Sequence, residues 1–324
     1  METFASLQKP VAVSWTGDGF IASYRDDVTR LVSIGVDGKV QPFAPSFSGK
    51  EEVYIAISQG RAGFSQGYLF LCSGDSIYRM EPSGTTVNLF STPSQGSTVE
   101  YIAFDTDGVW GYLLYGLTAN GGLWAINATG GAELVANLGD NLMPEGIAFA
   151  PASFGAYSGD MLVSREKAHD LVAISPTNPA GVIPLAQFPG EAPERVLIIP
   201  ANSDLFIAEY DQGIIVKMGA GNLSNYVGLP LVITEGEAGQ VGSFTVLKPL
   251  GTNVTTIRIL SDPSSPHFEG AAFVPAGSTS GGVATNPSAT SATGAELPVA
   301  AVIIVAIATL ASALIVKRRR RRTG

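Results

Sequence analysis

Short apolar runs of about five to seven residues, bounded by Gly, Asp, Asn and Pro, fill the first 275 positions of this chain. Runs of that length and punctuation read as β-strands, and no long helical periodicity interrupts them. The runs also repeat. A first strand recurs as PVAVSW at 10–15, VYIAI at 53–57, EYIAF at 100–104, EGIAF at 145–149 and ERVLI at 194–198. A second follows a Gly- or Asp-containing turn: GFIASY from Gly19, GYLFLC from Gly67, GYLLYG from Gly111, DMLVS from Asp160 and DLFIAEY from Asp204. A third is RLVSI from Arg30, SIYRM from Ser76, GLWAI from Gly122, DLVAI from Asp170 and GIIVKM from Gly213. A polar turn and a fourth apolar segment (VQPFA, VNLFS, ELVANL, VIPLAQF, NYVGL) close each unit.

Third strands start 46, 46, 48 and 43 residues apart. Four strands in a unit of about 45 residues is the signature of a propeller blade. One such sheet cannot bury both faces alone, so blades pack side by side in a ring. Five blades cover residues 10 to about 230, each in consecutive order. Residues 231–275, with VGSFTVL, TTIRIL and FEGAAFVP, supply one degenerate closing unit. The expectation is an all-β, six-bladed β-propeller over 1–275, with seven blades left open. FEGAAFVP has the first-strand pattern, and the sequence does not say how it closes the ring.

The pattern then changes. Residues 276–296 are small and polar without periodicity, which predicts a flexible stalk. Residues 297–316 (LPVAAVIIVAIATLASALIV) hold no charge over twenty positions, enough to span about 30 Å of hydrocarbon as a transmembrane helix. Lys317 and Arg318–Arg322 follow as a basic tail over 317–324, which the positive-inside rule places in the cytoplasm. The propeller is then expected outside, held at a cell membrane by a single pass. METFASLQKP carries no apolar signal region. Either the start is incomplete or misassigned, or the chain is tail-anchored with its main domain in the cytoplasm; the first fits the basic tail better.

Charge narrows the partners. The chain has 19 basic and 28 acidic residues, and six of the basic ones lie after Val316, so the propeller carries −15. That balance repels phosphate backbones and excludes a nucleic-acid partner. One cysteine, Cys72, allows no intrachain disulfide and reads as a small core residue. Sequons at Asn127, Asn222 and Asn253 are consistent with a glycoprotein outside the cytoplasm.

PEGIAFAP followed by FGAYSGDMLVS resembles the six-bladed propellers grouped with NHL-repeat proteins, regucalcin and gluconolactonase. The tail resembles archaeal surface-protein anchors, with Glu296-Leu297-Pro298 before the span. In the regucalcin-like family a glutamate of an E-G dipeptide on a first strand binds metal. Glu145-Gly146 and Glu269-Gly270 match that dipeptide, so the resemblance implies a metal site here.

Alignment of the first strands places Glu100, Glu145, Glu194 and Glu269 at one blade position, where blades one and two have Val11 and Val53. First strands line a propeller's channel, so these four form a candidate metal ring at one height. Oxygen ligands of this kind favour Ca²⁺. The alternative is that each bonds local backbone amides at the strand start. FDTDG at 104–108 reads as a turn, since the further oxygens of a calcium loop are missing. The charged REKAHD loop holds Arg165, Glu166, Lys167, His169 and Asp170, and reads as solvated or as the border of a ligand site. Neither His169 nor His267 lies in a metal spacing, and no nucleophile elbow, P-loop, dinucleotide fingerprint or H-E-x-x-H is present. The leading expectation is a non-enzymatic binding or scaffold module for an extracellular protein, glycan or ion. A Ca²⁺-dependent lactonase-type hydrolase and a structural cell-surface component are the alternatives.

Overall fold

Strand-forming runs become twenty-four strands in six four-stranded antiparallel sheets in the computed structural model, which describes residues 1–236, 240–262 and 266–279. The expected stalk, span and basic tail lie outside the described residues. Among the described residues no helix is long and apolar enough to cross a membrane.

Blades one to four follow the repeat in consecutive order, from the axis outward. Blade one is Pro10–Trp15, Gly19–Arg25, Thr29–Gly35 and Val40–Phe43. Blade two is Ile55–Ile57, Leu69–Ser73, Ser76–Met80 and Val87–Ser91. Blade three is Val99–Phe104, Leu114–Thr118, Gly122–Ile126 and Ala132–Asn137. Blade four is Pro144–Phe149, Met161–Arg165, Asp170–Ser175 and Asn178–Gln187.

Blades five and six depart from consecutive order. After the inner strand Ala192–Ile198, the chain leaves blade five and builds the two middle strands of blade six, Ser203–Glu209 and Ile214–Met218. It then returns to finish blade five with Pro230–Glu235, Gly242–Leu250 and Asn253–Asp262. Blade six takes its inner strand from Phe268–Pro275 and its outer strand from Glu2–Ser6. The expected consecutive fifth blade is thus corrected. DLFIAEY and GIIVKM belong to the neighbouring sheet, and NYVGL falls in a short 3₁₀ turn at Ser224–Tyr226. Middle strands are buried on both faces, so apolar pattern alone does not say which sheet they join. The closure seals the ring with both ends of the repeat in one blade.

Packing follows from this ring. Every residue of Leu69–Ser73, Leu114–Thr118 and Ser203–Glu209 is buried, whereas outer strands such as Ala132–Asn137 are largely exposed. Phe64, Phe70, Phe90 and Phe104 interlock edge-to-face between blades two and three. Cys72 is fully buried with its thiol pushed up to about 12 by burial, and Sγ accepts the Tyr54 N–H. The FDTDG turn is held by Asp105. Its carboxylate accepts backbone N–H groups of Asp107, Gly108, Trp110 and Tyr112 at 2.9–3.1 Å, leaving it committed to the loop.

Inner strands approach so closely that glycine is required at two places. A Cβ on Gly146 would lie 2.9 Å from the Val196 nitrogen and 3.0 Å from the Glu194 oxygen. One on Gly270 would lie 2.7 Å from both Ala12 Cα and the Val11 oxygen. Backbone atoms cannot swing aside, so Gly270→Ala forces the two strands apart. The expected cost is about 1–3 kcal/mol, a fall of several degrees in melting temperature by calorimetry, without loss of the β spectrum. An unchanged melting temperature contradicts the close approach.

Candidate functional site

A single backbone device aims side chains at the channel. In the inner strands of blades one, three, four and five the pairing register slips by one residue, between Pro10 and Ala12, Val99 and Tyr101, Pro144 and Gly146, and Pro193 and Arg195. The skipped residues are Val11, Glu100, Glu145 and Glu194. Blade six slips where Ile207 pairs Ala271 and Glu209 pairs Phe268, leaving Glu269 and Gly270 out of register. A β-bulge bends the strand and re-aims its extra residue. Backbone groups freed there find other partners. Ser23 Oγ takes the Ala12 N–H and donates to the Val53 carbonyl, and Ser164 Oγ donates to the Glu194 carbonyl.

The bulges deliver Glu100, Glu145, Glu194 and Glu269 to one cavity of about 300 Å³ at the channel mouth. Glu51, Glu52, Glu166 and Glu235 also line it, with Arg25 and His267. The four glutamates taken from the sequence are therefore brought together, among twice as many. Of the REKAHD loop only Glu166 reaches the cavity. Arg165 grips Asp170 through two bonds of 2.8 and 2.5 Å and donates to the Leu138 carbonyl, and His169 Nδ1 lies 2.6 Å from the Glu191 carbonyl oxygen.

Arg195 was not foreseen in the sequence. Consecutive strand residues normally point to opposite faces, yet Glu194 and Arg195 reach each other, with Nη2 2.6 Å from Oε1. The Arg195 side chain is 1% exposed. Its guanidinium sits 3.8 Å from the centroid of the Tyr54 ring and 4.7 Å from that of Tyr101, and it donates to the Glu145 and Glu194 carbonyls. A buried charge of this kind is tolerable only with such partners.

The Tyr54 hydroxyl touches three carboxyls: Glu52 at 3.0 Å, Glu194 at 3.1 Å and Glu269 at 2.7 Å. A phenol has one proton to give. For the other two contacts to be hydrogen bonds, each of those carboxyls must supply its own proton. Burial and crowding provide it. Burial, then the charge on Glu194, pushes Glu52 up to about 7. Burial, then Glu51, raises Glu100 to about 7. Burial raises Glu235 and Glu269 to about 8 each, although hydrogen bonds from His267 oppose it. Burial and the adjoining Glu194 hold Glu145 well above the ordinary carboxylate value.

His267, Glu235 and Glu269 form the tightest cluster. His267 Nε2 lies 3.0 Å from Glu235 and 2.9 Å from Glu269. Burial pulls the imidazole down, but these two bonds outweigh it and push it up to about 11. His267 and Glu235 were missed because they share no blade position with the four glutamates. The H-x-E spacing of His267 and Glu269, which sets alternate residues on one strand face, was the available signal.

These shifts share one sign in stability. From pH 4.5 to about 8 the unfolded chain has shed carboxyl protons that the folded site keeps, so folding takes up protons and rising pH destabilises. The contribution of His267 is complete below pH 6.5 and is lost as pH climbs towards 11. The metal-free protein is expected to lose melting temperature steadily from pH 5 to 8, with a smaller fall in Glu52→Gln. A melting temperature that climbs over that range contradicts the protonated mouth.

No protein-family model and no curated protein sequence matches the chain. Solved structures match it in fold. The nidogen/laminin complex gives a TM-score of 0.54 at 12% identity, over 82% of this chain and 85% of that one. A luciferin-regenerating enzyme gives 0.50 at 11%, over 80% and 78%. Virginiamycin B lyase from Staphylococcus aureus gives 0.48 at 13%, over 83% and 94%. At these identities the likeness is one of fold: the chain is a six-bladed β-propeller whose structural neighbours include both a complex between proteins and enzymes.

Proposed function

We propose that this protein is a membrane-anchored binding module outside the cytoplasm, whose propeller takes a divalent cation at the channel mouth. The observation that carries the cation is the convergence of eight glutamates on one small cavity. Like charges at this density need protons or a cation between them. Ca²⁺ is the ion that an all-oxygen ring selects. Location rests on the uncharged stretch 297–316 and its basic flank. The sequon residues Asn127, Asn222 and Asn253 are exposed, which suits a glycan-bearing surface. They follow or leave third strands, so they sit at the end of the ring opposite the cavity. A glycan on any of them leaves the mouth open to a ligand.

A Ca²⁺-dependent lactonase-like hydrolase is the second reading. The glutamate-lined cavity favours it, because a metal held beside other carboxyls is a means of activating water.

Thermal unfolding with and without divalent cations tests the first claim. A ligand at about 100 times its Kd adds about 2.7 kcal/mol, or several degrees, to a domain of this size. Glu145→Gln together with Glu269→Gln should abolish the gain. Absence of any shift with Ca²⁺, Mg²⁺, Mn²⁺ or Zn²⁺ defeats the cation reading. Turnover of a simple aliphatic lactone that requires added metal would favour the hydrolase over the binding module. Protease protection on intact cells tests the location, where a shielded propeller overturns it.

A further inference from the structure

We propose that His267 Nε2, Glu235 and Glu269 hold a divalent first-row transition ion of the Mn²⁺ or Zn²⁺ class. The proposal rests on the cation reading above and replaces its all-oxygen ring with a smaller, nitrogen-containing site.

Three observations point to it. The first is spacing. One ligand atom from each of the three residues lies within 4.8 Å of the others. The two edges at His267 measure 3.0 and 2.9 Å. Neighbouring ligands on an ion with bonds of about 2.1 Å stand about 3.0–3.4 Å apart, a spacing that Ca²⁺ with its larger ligand number also allows, so the choice of ion rests on donor type.

The second is donor chemistry. Ca²⁺ takes oxygen, while an imidazole beside carboxylates suits Mn²⁺, Fe²⁺ and Zn²⁺. The third is that the imidazole is already fixed. Its ring packs on Tyr210 at 4.8 Å, and Asp211 Oδ2 lies 3.6 Å from Nδ1. The His267 backbone N–H donates to Glu209 Oε1 at 3.2 Å, and its carbonyl accepts the Tyr210 N–H at 2.9 Å. Nδ1 thus faces a carboxylate and Nε2 faces the cavity, the arrangement that orients a metal-binding histidine.

The test uses the full-length protein, stripped with chelator and titrated with Mn²⁺ under electron paramagnetic resonance. One Mn²⁺ per chain should bind, with nitrogen hyperfine coupling from the imidazole. Zn²⁺ should displace it at near-equal amounts, and Ca²⁺ only at an excess of about 100-fold. His267→Gln should lose the nitrogen coupling and weaken Mn²⁺ about 10–100-fold. Glu235→Gln should weaken it comparably while the coupling stays, which keeps the test valid if the histidine variant does not fold. Mn²⁺ bound without nitrogen coupling, or Ca²⁺ competing one for one, overturns this site and leaves an all-oxygen cation site standing. Failure of every divalent ion to bind overturns both.

Discussion

Carboxylates crowded at a channel mouth repel one another, and they share it only by holding protons, a counter-ion or a metal. That constraint governs the channel mouth. Its origin is a backbone irregularity repeated around the ring. The bulged position of blades three, four, five and six carries glutamate, so the device that bends the inner strand also turns a carboxylate inward. Beneath them Arg195 compensates one charge permanently, and Tyr54 ties three carboxyls to each other. The remaining groups are left to protons and cations. The mouth is therefore electrostatically unfinished, unlike Asp105 or the Arg165–Asp170 pair, whose hydrogen bonds are complete.

Closure of the ring and completion of the site are one event. His267 and Glu269 arrive with the last inner strand, Phe268–Pro275, and Glu235 comes at the end of the second strand of blade five. Blade five is finished only after the chain has laid the middle of blade six. The trio joins these two blades, whose strands are interleaved in sequence. Separating blade six from blade five would expose apolar surface and dismantle the trio together. A ligand bound there couples directly to ring closure, and so to stability.

The blade count, the strand succession of blades one to four, and the four inward glutamates were legible in the sequence, because period-two patterning and a repeat of about 45 residues report local structure. The exchange between blades five and six was not. DLFIAEY and GIIVKM have the same apolar character wherever they pair, and only tertiary contact decides their sheet. The site was half legible for a related reason. Glu100, Glu145, Glu194 and Glu269 share a repeat position, which alignment reveals. Glu52, Glu235 and His267 lie outside that repeat position, and Tyr54 shares its own position with Tyr101, where both read as apolar strand residues. Arg195 was hidden by the rule of alternation, since a residue beside an inward glutamate reads as outward until the bulge is seen. The apolar stretch 297–316 lies outside the described residues, and its role stands on the sequence.

The E-G dipeptide shows why fold and electrostatics here are inseparable. At Gly146 and Gly270 the missing side chain lets the next inner strand come within contact of the backbone. The preceding residues, Glu145 and Glu269, are thereby drawn in with it. A wider ring would relieve the crowding of carboxylates but would lose the packing of inner strands against each other. A narrower one is barred by the backbone contacts already made at those glycines. The diameter that apolar packing selects thus fixes how closely the carboxylates stand. The same dipeptide matches a metal-binding signature in a resembling family, yet its glycine is required by packing alone. The residue type at each of its two positions follows from the geometry of this ring, with the glutamate answering to the cavity and the glycine to the neighbouring strand.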